Sequence, residues 1–293
     1  MRADTDAHTA DANLDAELAG LDALEQVAAP RRHPLHSLWS ATWPKVTAAA
    51  VGLILWQLVV WSGWKPEYIL PGPNTVLPEL RDMIADGTVW KVVSTTMERA
   101  FIGFAVALVI GTLVGSVVGS VHILRVAVGG FITGLQNMPS IAWFPLAIVL
   151  FGINESAIIF VIVIGAAPSI ANGVVSGMDT IPPILKRVGW VLGARGVSAY
   201  RFVSLPAALP AFVGGIKQGW AFAWRSLLAG EIIVVIASKP SIGQRLTQSR
   251  ELSDYPQMMA MMLVILFLGI IVDAAIFGTM ERAVRKRWGL AEA

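Results

Sequence analysis

The sequence predicts an all-α membrane protein with six transmembrane helices and with both termini in the cytoplasm. Three observations support this fold class. Of the 293 residues, 55% are hydrophobic and only 14% are charged, and the mean hydropathy is +0.66. The apolar residues fall into runs long enough to cross a hydrocarbon core, which takes about 20 helical residues. Lys and Arg gather in alternate connecting segments, a pattern typical of cytoplasmic loops.

This composition also excludes whole classes of protein. In a soluble domain, about 25% of the residues are charged. The 14% of this chain therefore exclude a soluble enzyme, a nucleic-acid-binding protein and a disordered chain. The absence of cysteine excludes thiolate catalysis and cysteine metal sites. The four histidines lie in the tail or a loop. We therefore expect no catalytic, cofactor-binding or metal site in this chain.

The chain divides into a tail and a membrane domain. Residues 1–45 form an acidic cytoplasmic tail, in which leucines at helical spacing predict a short amphipathic helix. The alternative for the tail is a segment that folds only on a partner. Residues 46–293 form the transmembrane domain. Its helices are predicted at 46–64, 96–121, 124–151, 156–176, 207–236 and 257–281.

The orientation follows from the basic residues. On one side of the membrane few acidic residues accompany the basic ones, and this side is predicted to be cytoplasmic. The basic residues of that side are Arg31, Arg32, Lys45, Arg125, Lys186, Arg187, Arg195, Arg201, Arg282, Arg285, Lys286 and Arg287.

The third predicted helix contains Pro139 and Pro145. Each proline removes a backbone donor and clashes with the preceding turn, so we expect a kink or break between Asn137 and Pro145. Irregular backbone at membrane depth is tolerated where it is covered by protein or lines a watery cavity. Gln136, Asn137 and Trp143 are therefore candidates for lining a pathway, and a kink used only for packing is the alternative.

Charged residues within the fifth predicted helix need a physical reason, because a charge in the membrane is costly. Arg225 and Glu231 are six residues apart and cannot pair with each other on one helix. We expect each to find a partner on another helix, on a second copy of the chain or in a watery cavity. Structural pairing is the first interpretation. Contact with an anionic solute is the alternative for Arg225, with Trp224 beside it as a candidate pathway residue.

A stripe of small residues marks the second predicted helix. Gly111, Gly115 and Gly119 recur every four residues, which permits close packing against another helix. The partner helix belongs either to the same subunit or to a second copy.

The internal cytoplasmic loop, residues 179–209, has two short helices joined by a glycine turn. It reads DTIPPILKRVGWVLGARGVSAYRFVSLPAAL, with prolines at the helix starts and glycines at 193 and 196. A compact knob of this kind suits docking into the groove of a partner.

This loop resembles the "EAA" signature of ATP-binding-cassette (ABC) importer permeases. Gly193 and the segment from Val203 to Pro206 have the signature's spacing. The likeness extends to the nitrate, aliphatic sulfonate and taurine branch. The segments that carry it are LPGP at 70–73, MPSIAWFPLAIVLFG at 138–152, LPAALP at 205–210 and AWRSLLAGEI at 223–232.

The resemblance implies a type I ABC importer (MetI-like) permease fold in the cell inner membrane. It also implies partners: two ATPase subunits that carry ATP and Mg, a second permease copy in a homodimer, and an extracytoplasmic substrate-binding protein. The implied role is to form a pathway for a small anionic solute such as a sulfonate, taurine or nitrate. Alternatives are another small solute such as a vitamin precursor, and an ATP-independent secondary transporter or channel. The coupling residues implied are Arg187, Val188, Gly189, Gly193, Ala194, Val203, Leu205 and Pro206.

The chain departs from the signature at one place. The positions aligned with Glu-Ala-Ala are Arg187, Val188 and Gly189, so a base replaces the acid. Because reversing a charge repels a partner built for the original sign, we expect either a correspondingly altered ATPase or an Arg187 that faces lipid headgroups.

Overall fold

The computed structural model describes residues 34–288, and every regular element in this range is a helix. The first helix, α1 (Pro34–Trp61), belongs to a unit that ends at Ser62, and the later elements form a second unit. α1 begins at Pro34 rather than at the predicted residue 46, because the lysine at 45 ends the apolar run without ending the helix. The amphipathic helix predicted in the tail lies outside the described residues.

Two helices open the second unit. α2 (Pro73–Ala85) begins on a proline, which suits the first turn of a helix, and buries Val76 and Met83. α3 (Thr88–Ser120) follows directly. The backbone N–H of Thr88 donates to Asp86 Oδ1 at 2.8 Å, and this bond lowers the pKa of the Asp86 carboxyl and fixes the start of α3.

The third predicted helix is broken, as the prolines predict. α4 (His122–Asn137) is followed by a 3₁₀ turn (Ser140–Trp143) and α5 (Phe144–Phe151), and the two halves are bent by 100°. Pro139 stands between them. Pro145 lies in the first turn of α5, where a missing N–H costs nothing.

α6 (Glu155–Asp179) is the most buried helix of the bundle. Its start is capped by the Asn154 side chain, which accepts from the N–H groups of Ser156 and Ala157 at 2.9 and 3.4 Å. α6 packs against α3 on one side and against the helix of residues 205–233 on the other. The hydrophobic core is therefore centred on α6, and its core residues include Ala157, Ile158, Val161, Ile162, Ala166 and Ile170.

The remaining elements complete the bundle. α7 (Pro183–Val191), α8 (Val197–Ala199) and a π turn (Tyr200–Ser204) lead into α9 (Leu205–Ile233). α10 (Ile242–Glu251) and α11 (Tyr255–Val272) follow, and a second π turn (Asp273–Phe277) joins α11 to α12 (Gly278–Arg287).

Five helices in the described range are long and apolar enough to cross a membrane. They are residues 42–61, 88–120, 155–179, 197–233 and 255–287. The bent pair of α4 and α5 raises the count to six if it forms one span. The six predicted helices correspond to these elements, with the third in two pieces, and the side on which the termini lie stays a prediction.

The small-residue stripe on α3 packs within the subunit. A methyl group at Gly111 would lie 2.6 Å from the Ala167 carbonyl oxygen, and one at Gly115 would lie 2.7 Å from that of Ala171. Because both contacts are with backbone of α6, the two helices approach too closely for any larger residue. The stripe thus serves the contact between α3 and α6.

Candidate functional site

The cytoplasmic loop of the prediction forms a compact knob, residues 179–209, at one end of the bundle. α7 ends at a turn in which Gly193 adopts a φ of +84° and Gly196 a φ of +56°. These left-handed conformations favour glycine. The N–H of Ala194 donates to the Gly189 carbonyl at 2.9 Å, which closes the turn.

Gly189 on α7 and Val203 in the π turn are the point at which the two halves of the knob pack together. Gly189 is buried, and a methyl group there would lie 2.7 Å from Val203 Cγ2. Leu205 and Pro206 then open α9. Gly189 and Val203, which are both aligned with the coupling signature, are therefore in contact.

The outer surface of the knob is apolar and basic. Trp190 is 64% exposed, Val191 76% and Leu192 81%. Val188 and Arg187 are also exposed, and among the described residues Arg187 forms no ion pair. The Arg195 guanidinium lies 5.7 Å from the centre of the Trp190 ring.

Two contacts fasten the knob to the bundle. The Tyr200 hydroxyl donates to Ser116 Oγ on α3 at 3.0 Å. Arg125, at the start of α4, forms an ion pair with Asp179 at the end of α6. These contacts link the knob to α3, α4 and α6.

A buried polar network lies at the distal end of the bundle, the end opposite the knob. Its centre is Arg99 on α3, which is 4% exposed. The Arg99 Nε and Nη2 atoms donate to the two carboxylate oxygens of Glu155 at 2.8 Å each, and Nη1 donates to Glu231 Oε1 at 2.9 Å. One guanidinium thus joins α3, α6 and α9.

Glu231 extends this network to α10. Its side chain is fully buried and accepts from Thr96 Oγ1 at 3.0 Å and from the N–H of Gly243 at 3.1 Å. The N–H of Ile242 donates to Thr96 Oγ1 at 3.1 Å. Thr96 and Glu231 therefore satisfy two orphan donors at the start of α10.

A cavity of about 470 Å³ lies along α9 and α11. Lys217, Trp224, Arg225 and Asp273 are among its lining residues. Lys217 Nζ lies 3.3 Å from Asp273 Oδ1 and 3.9 Å from a Glu281 oxygen. Arg225 is exposed, and it forms no ion pair within the described part of the chain.

The bend between α4 and α5 holds further polar groups. The Asn172 side chain on α6 donates to Gln136 Oε1. Asn137 is exposed at the end of α4. The indole N–H of Trp143 is buried and has no hydrogen-bond partner among the described residues.

The structure places the predicted pathway residues at three separate locations. Gln136, Asn137 and Trp143 lie at the bend, Trp224 and Arg225 lie at the α9 cavity, and Glu231 lies in the distal network. Sequence reasoning missed Arg99 and Glu155. The sequence did contain a signal for this pair. Arg99 directly precedes the apolar run at 100–121, Glu155 directly precedes the run at 156–178, and both runs begin on the same predicted side of the membrane.

Three relatives show what the chain is similar to. It is 29% identical over 224 residues to a probable ABC transporter permease protein of Brucella melitensis, covering 76% of this chain and 89% of that one. A putative aliphatic sulfonates transport permease protein of Escherichia coli is 28% identical over 229 residues, with coverages of 77% and 85%. A riboflavin transport system permease protein of Chloroflexus aurantiacus is 29% identical over 219 residues, with coverages of 74% and 80%.

A solved structure shows the same fold. A chain of the MetNI methionine ABC transporter in an inward-facing conformation matches with a TM-score of 0.57 at 24% identity. The match covers 66% of this chain and 94% of that chain. The predicted MetI-like permease fold is therefore confirmed.

The family profile of binding-protein-dependent transport system inner membrane components matches residues 82–287. This range begins within α2 and includes the knob, the distal network and the α9 cavity. The relatives are named as transport permeases rather than enzymes. The chain therefore belongs to the family of binding-protein-dependent transport system inner membrane components, and it is a multi-pass ABC transporter permease of the inner membrane.

Proposed function

We propose that this chain is the membrane subunit of an ATP-driven importer for a small anionic solute and that the knob couples it to separate ATPase subunits. The observation that carries the coupling is the exposed surface of the knob. Trp190, Val191 and Leu192 form a run of exposed apolar residues at one end of the bundle, with Arg187 and Arg195 beside it. Exposed apolar patches of this kind mark contact sites for partners.

The ATP chemistry falls to the partner. The sequence contains no Gly-x-x-x-x-Gly-Lys-Ser/Thr phosphate loop, and such a loop is what cradles the ATP phosphates in ABC ATPases. A knob that is fastened to α3 through Tyr200 and to α6 through Asp179 can pass the closure of an ATPase pair to the helices as a rigid body.

The complete importer contains two copies of this chain, two ATPase subunits and an extracytoplasmic binding protein. Family membership supports this assembly, since the family is named for binding-protein-dependent transport. In this arrangement the knob faces the cytoplasm, as the distribution of Lys and Arg predicts. The reversed charge at Arg187 then requires an ATPase surface that accepts a base.

The solute is a small organic anion such as a sulfonate or taurine. Two observations support this class. One relative is named as a putative aliphatic sulfonates transport permease protein, and Arg225 at the cavity has no ion-pair partner among the described residues. The riboflavin permease relative has a similar identity, and it supports the alternative of a vitamin-like solute. The two classes separate by charge, because only an anion gains from the cation at Arg225.

The coupling proposal predicts that Val191→Asp abolishes co-purification of the ATPase subunit. A charge placed in the centre of the apolar patch must be desolvated on docking. The measurement is the amount of ATPase retained when the tagged chain is purified from membranes. Leu252→Asp is the matched control, because Leu252 is 71% exposed and lies after α10 rather than on the knob.

The two variants together test whether the ATPase subunit docks on the knob. Retention of the ATPase by Leu252→Asp and its loss by Val191→Asp support docking on the knob. Equal retention by both variants would contradict it. A melting temperature equal to that of the wild type shows that Val191→Asp has not unfolded the chain, since Val191 is 76% exposed.

A further inference from the structure

The cavity along α9 and α11 combines an aromatic wall with a cation that has no ion-pair partner in the described part of the chain. We infer that it binds the anionic group of a small organic solute, with Arg225 facing the charge and Trp224 facing the apolar body. This inference rests on the proposed importer function and deepens it by naming the binding residues.

The position of Arg225 makes contact with lipid tails costly. Arg225 precedes the end of α9 by eight residues, which corresponds to about 12 Å at the rise of an α-helix. A charge at that depth needs a partner or water. The guanidinium lies 5.8 Å from the ring of Phe222, one turn nearer the knob, so the side chain extends away from the near end of the helix.

The face of α9 around Arg225 is unlike a lipid-facing surface. Gly214, Gln218 and Arg225 are exposed along one side of the helix, at spacings of four and seven residues. The exposed side of α3 instead carries large apolar residues such as Val109 and Leu113. A small and polar face on a membrane helix is typical of a water-filled pathway.

One of the two cations of the cavity has no counter-ion within residues 34–288. Lys217 is neutralised by Asp273 at 3.3 Å and has Glu281 at 3.9 Å. No described acidic side chain lies within ion-pair distance of Arg225. An anion is therefore attracted to Arg225 rather than to Lys217.

The walls select an anion with an apolar body. Trp224 lines the cavity, and its ring stacks on that of Trp220 with centroids 6.4 Å apart and planes at 18°. A rigid aromatic wall gains contact area from alkyl or aryl groups. An inorganic anion such as sulfate has no such group, so no apolar contact offsets the free-energy cost of removing it from water. The expected ligand class is a small sulfonate or carboxylate with an apolar tail.

The test of position uses the absence of cysteine from the chain. In the assembled transporter, Arg225→Cys is treated with a membrane-impermeant methanethiosulfonate reagent, which reacts only with thiols exposed to water. We expect rapid labelling that slows in the presence of ethanesulfonate. Leu113→Cys is the matched control, because Leu113 is 63% exposed on an apolar face of α3, and it should stay unlabelled.

The test of charge uses the same variant. Ethanesulfonate uptake by Arg225→Cys should show an apparent KM raised roughly 10-fold or more, the order expected for a lost charged hydrogen bond. Labelling with a positively charged reagent should restore much of the uptake. Labelling with a negatively charged reagent should not. Excess sulfate should compete poorly with ethanesulfonate in the wild type.

Failure of this inference is distinguishable from failure of the importer function. If the wild type shows ATP-dependent uptake but the thiol at position 225 is unlabelled, or uptake does not depend on its charge, the Arg225 site is wrong and the importer stands. A thiol that forms a disulfide with the same position of a second copy would place Arg225 in a dimer interface and overturn the site. If the wild type shows no ATP-dependent uptake of any solute, the importer function itself fails.

Discussion

Arg99 links three helices at the distal end of the bundle. Its guanidinium donates to Glu155 and Glu231 on two other helices. Burying the charges of Arg99 and Glu231 is costly, and the cost is offset only when every hydrogen-bonding group has a partner. Glu231 meets that condition through Arg99, Thr96 and the N–H of Gly243. The network therefore explains why a carboxylate is tolerated in α9.

We expect Glu231→Gln to lower the free energy of unfolding by about 3 kcal/mol, the low end for breaking a buried ion pair, since Arg99 keeps Glu155. The measurement is thermal unfolding of the purified chain in detergent. Glu251→Gln is the control, because Glu251 is exposed at the end of α10 and should change the melting temperature little. Equal melting temperatures for the two variants would show that the network contributes no stability.

The sequence predicted part of the arrangement of the charged residues in α9. The six-residue spacing of Arg225 and Glu231 correctly separated them onto different faces of α9. The partner of Glu231 could not be predicted, because Arg99 lies 132 residues away in the chain and meets it only through the packing of three helices. Whether Arg225 has an ion-pair partner likewise depends on which acidic residues the fold brings near it, and the local sequence does not contain that information.

At the scale of elements, the crossing of α6 and α9 is set by glycine. Gly173 and Gly215 face each other so closely that a methyl group on either would lie 2.5 Å from the Cα atom of the other. Contact between two backbones leaves no side chain that can move aside. Close approach through small residues is a common way for membrane helices to associate.

We expect Gly215→Ala to destabilise the bundle by about 2 kcal/mol, within the usual range for overpacking. Gly214→Ala is a control on the same helix, because a methyl group at Gly214 meets nothing within 4 Å. This control should be neutral or slightly stabilising, since alanine favours helix. Both are compared by thermal unfolding in detergent. A Gly215→Ala variant as stable as Gly214→Ala would contradict the close crossing.

Prolines show how far element boundaries can be predicted. Pro139 breaks the third span as expected, yet Pro168 lies inside α6 and Pro210 inside α9 without ending either helix. Pro168 is buried among neighbouring helices, which hold the backbone on both sides of the lost hydrogen bond. Whether a proline breaks a helix thus depends on tertiary packing that the local sequence does not contain.

At the scale of the whole molecule, the bundle has two different ends. The knob end carries exposed apolar and basic residues and suits a protein partner, and the distal end is held by the buried ions around Arg99. α3, α6 and α9 run between these ends and pack closely on each other. A push on the knob is therefore expected to move these three helices together and to change the access to the α9 cavity.

Composition and the length of the apolar runs were sufficient to predict an all-α membrane protein. The prolines and glycines of residues 179–209 predicted two short helices and a turn, and the structure has them. The orientation of the termini stays a prediction. The pathway could not be predicted as one site, because Gln136, Arg225 and Glu231 lie at three different depths and faces of the bundle.

The central claim is that ATP hydrolysis by a partner drives uptake through this chain. The most direct test is uptake of labelled ethanesulfonate, taurine and riboflavin, each in turn, into proteoliposomes holding the chain, its ATPase and its binding protein. We predict uptake of at least one solute only when hydrolysable ATP is supplied on the knob side and both partners are present. Uptake by the chain alone, without ATP and driven by an ion gradient, would contradict the account and identify a secondary transporter or channel.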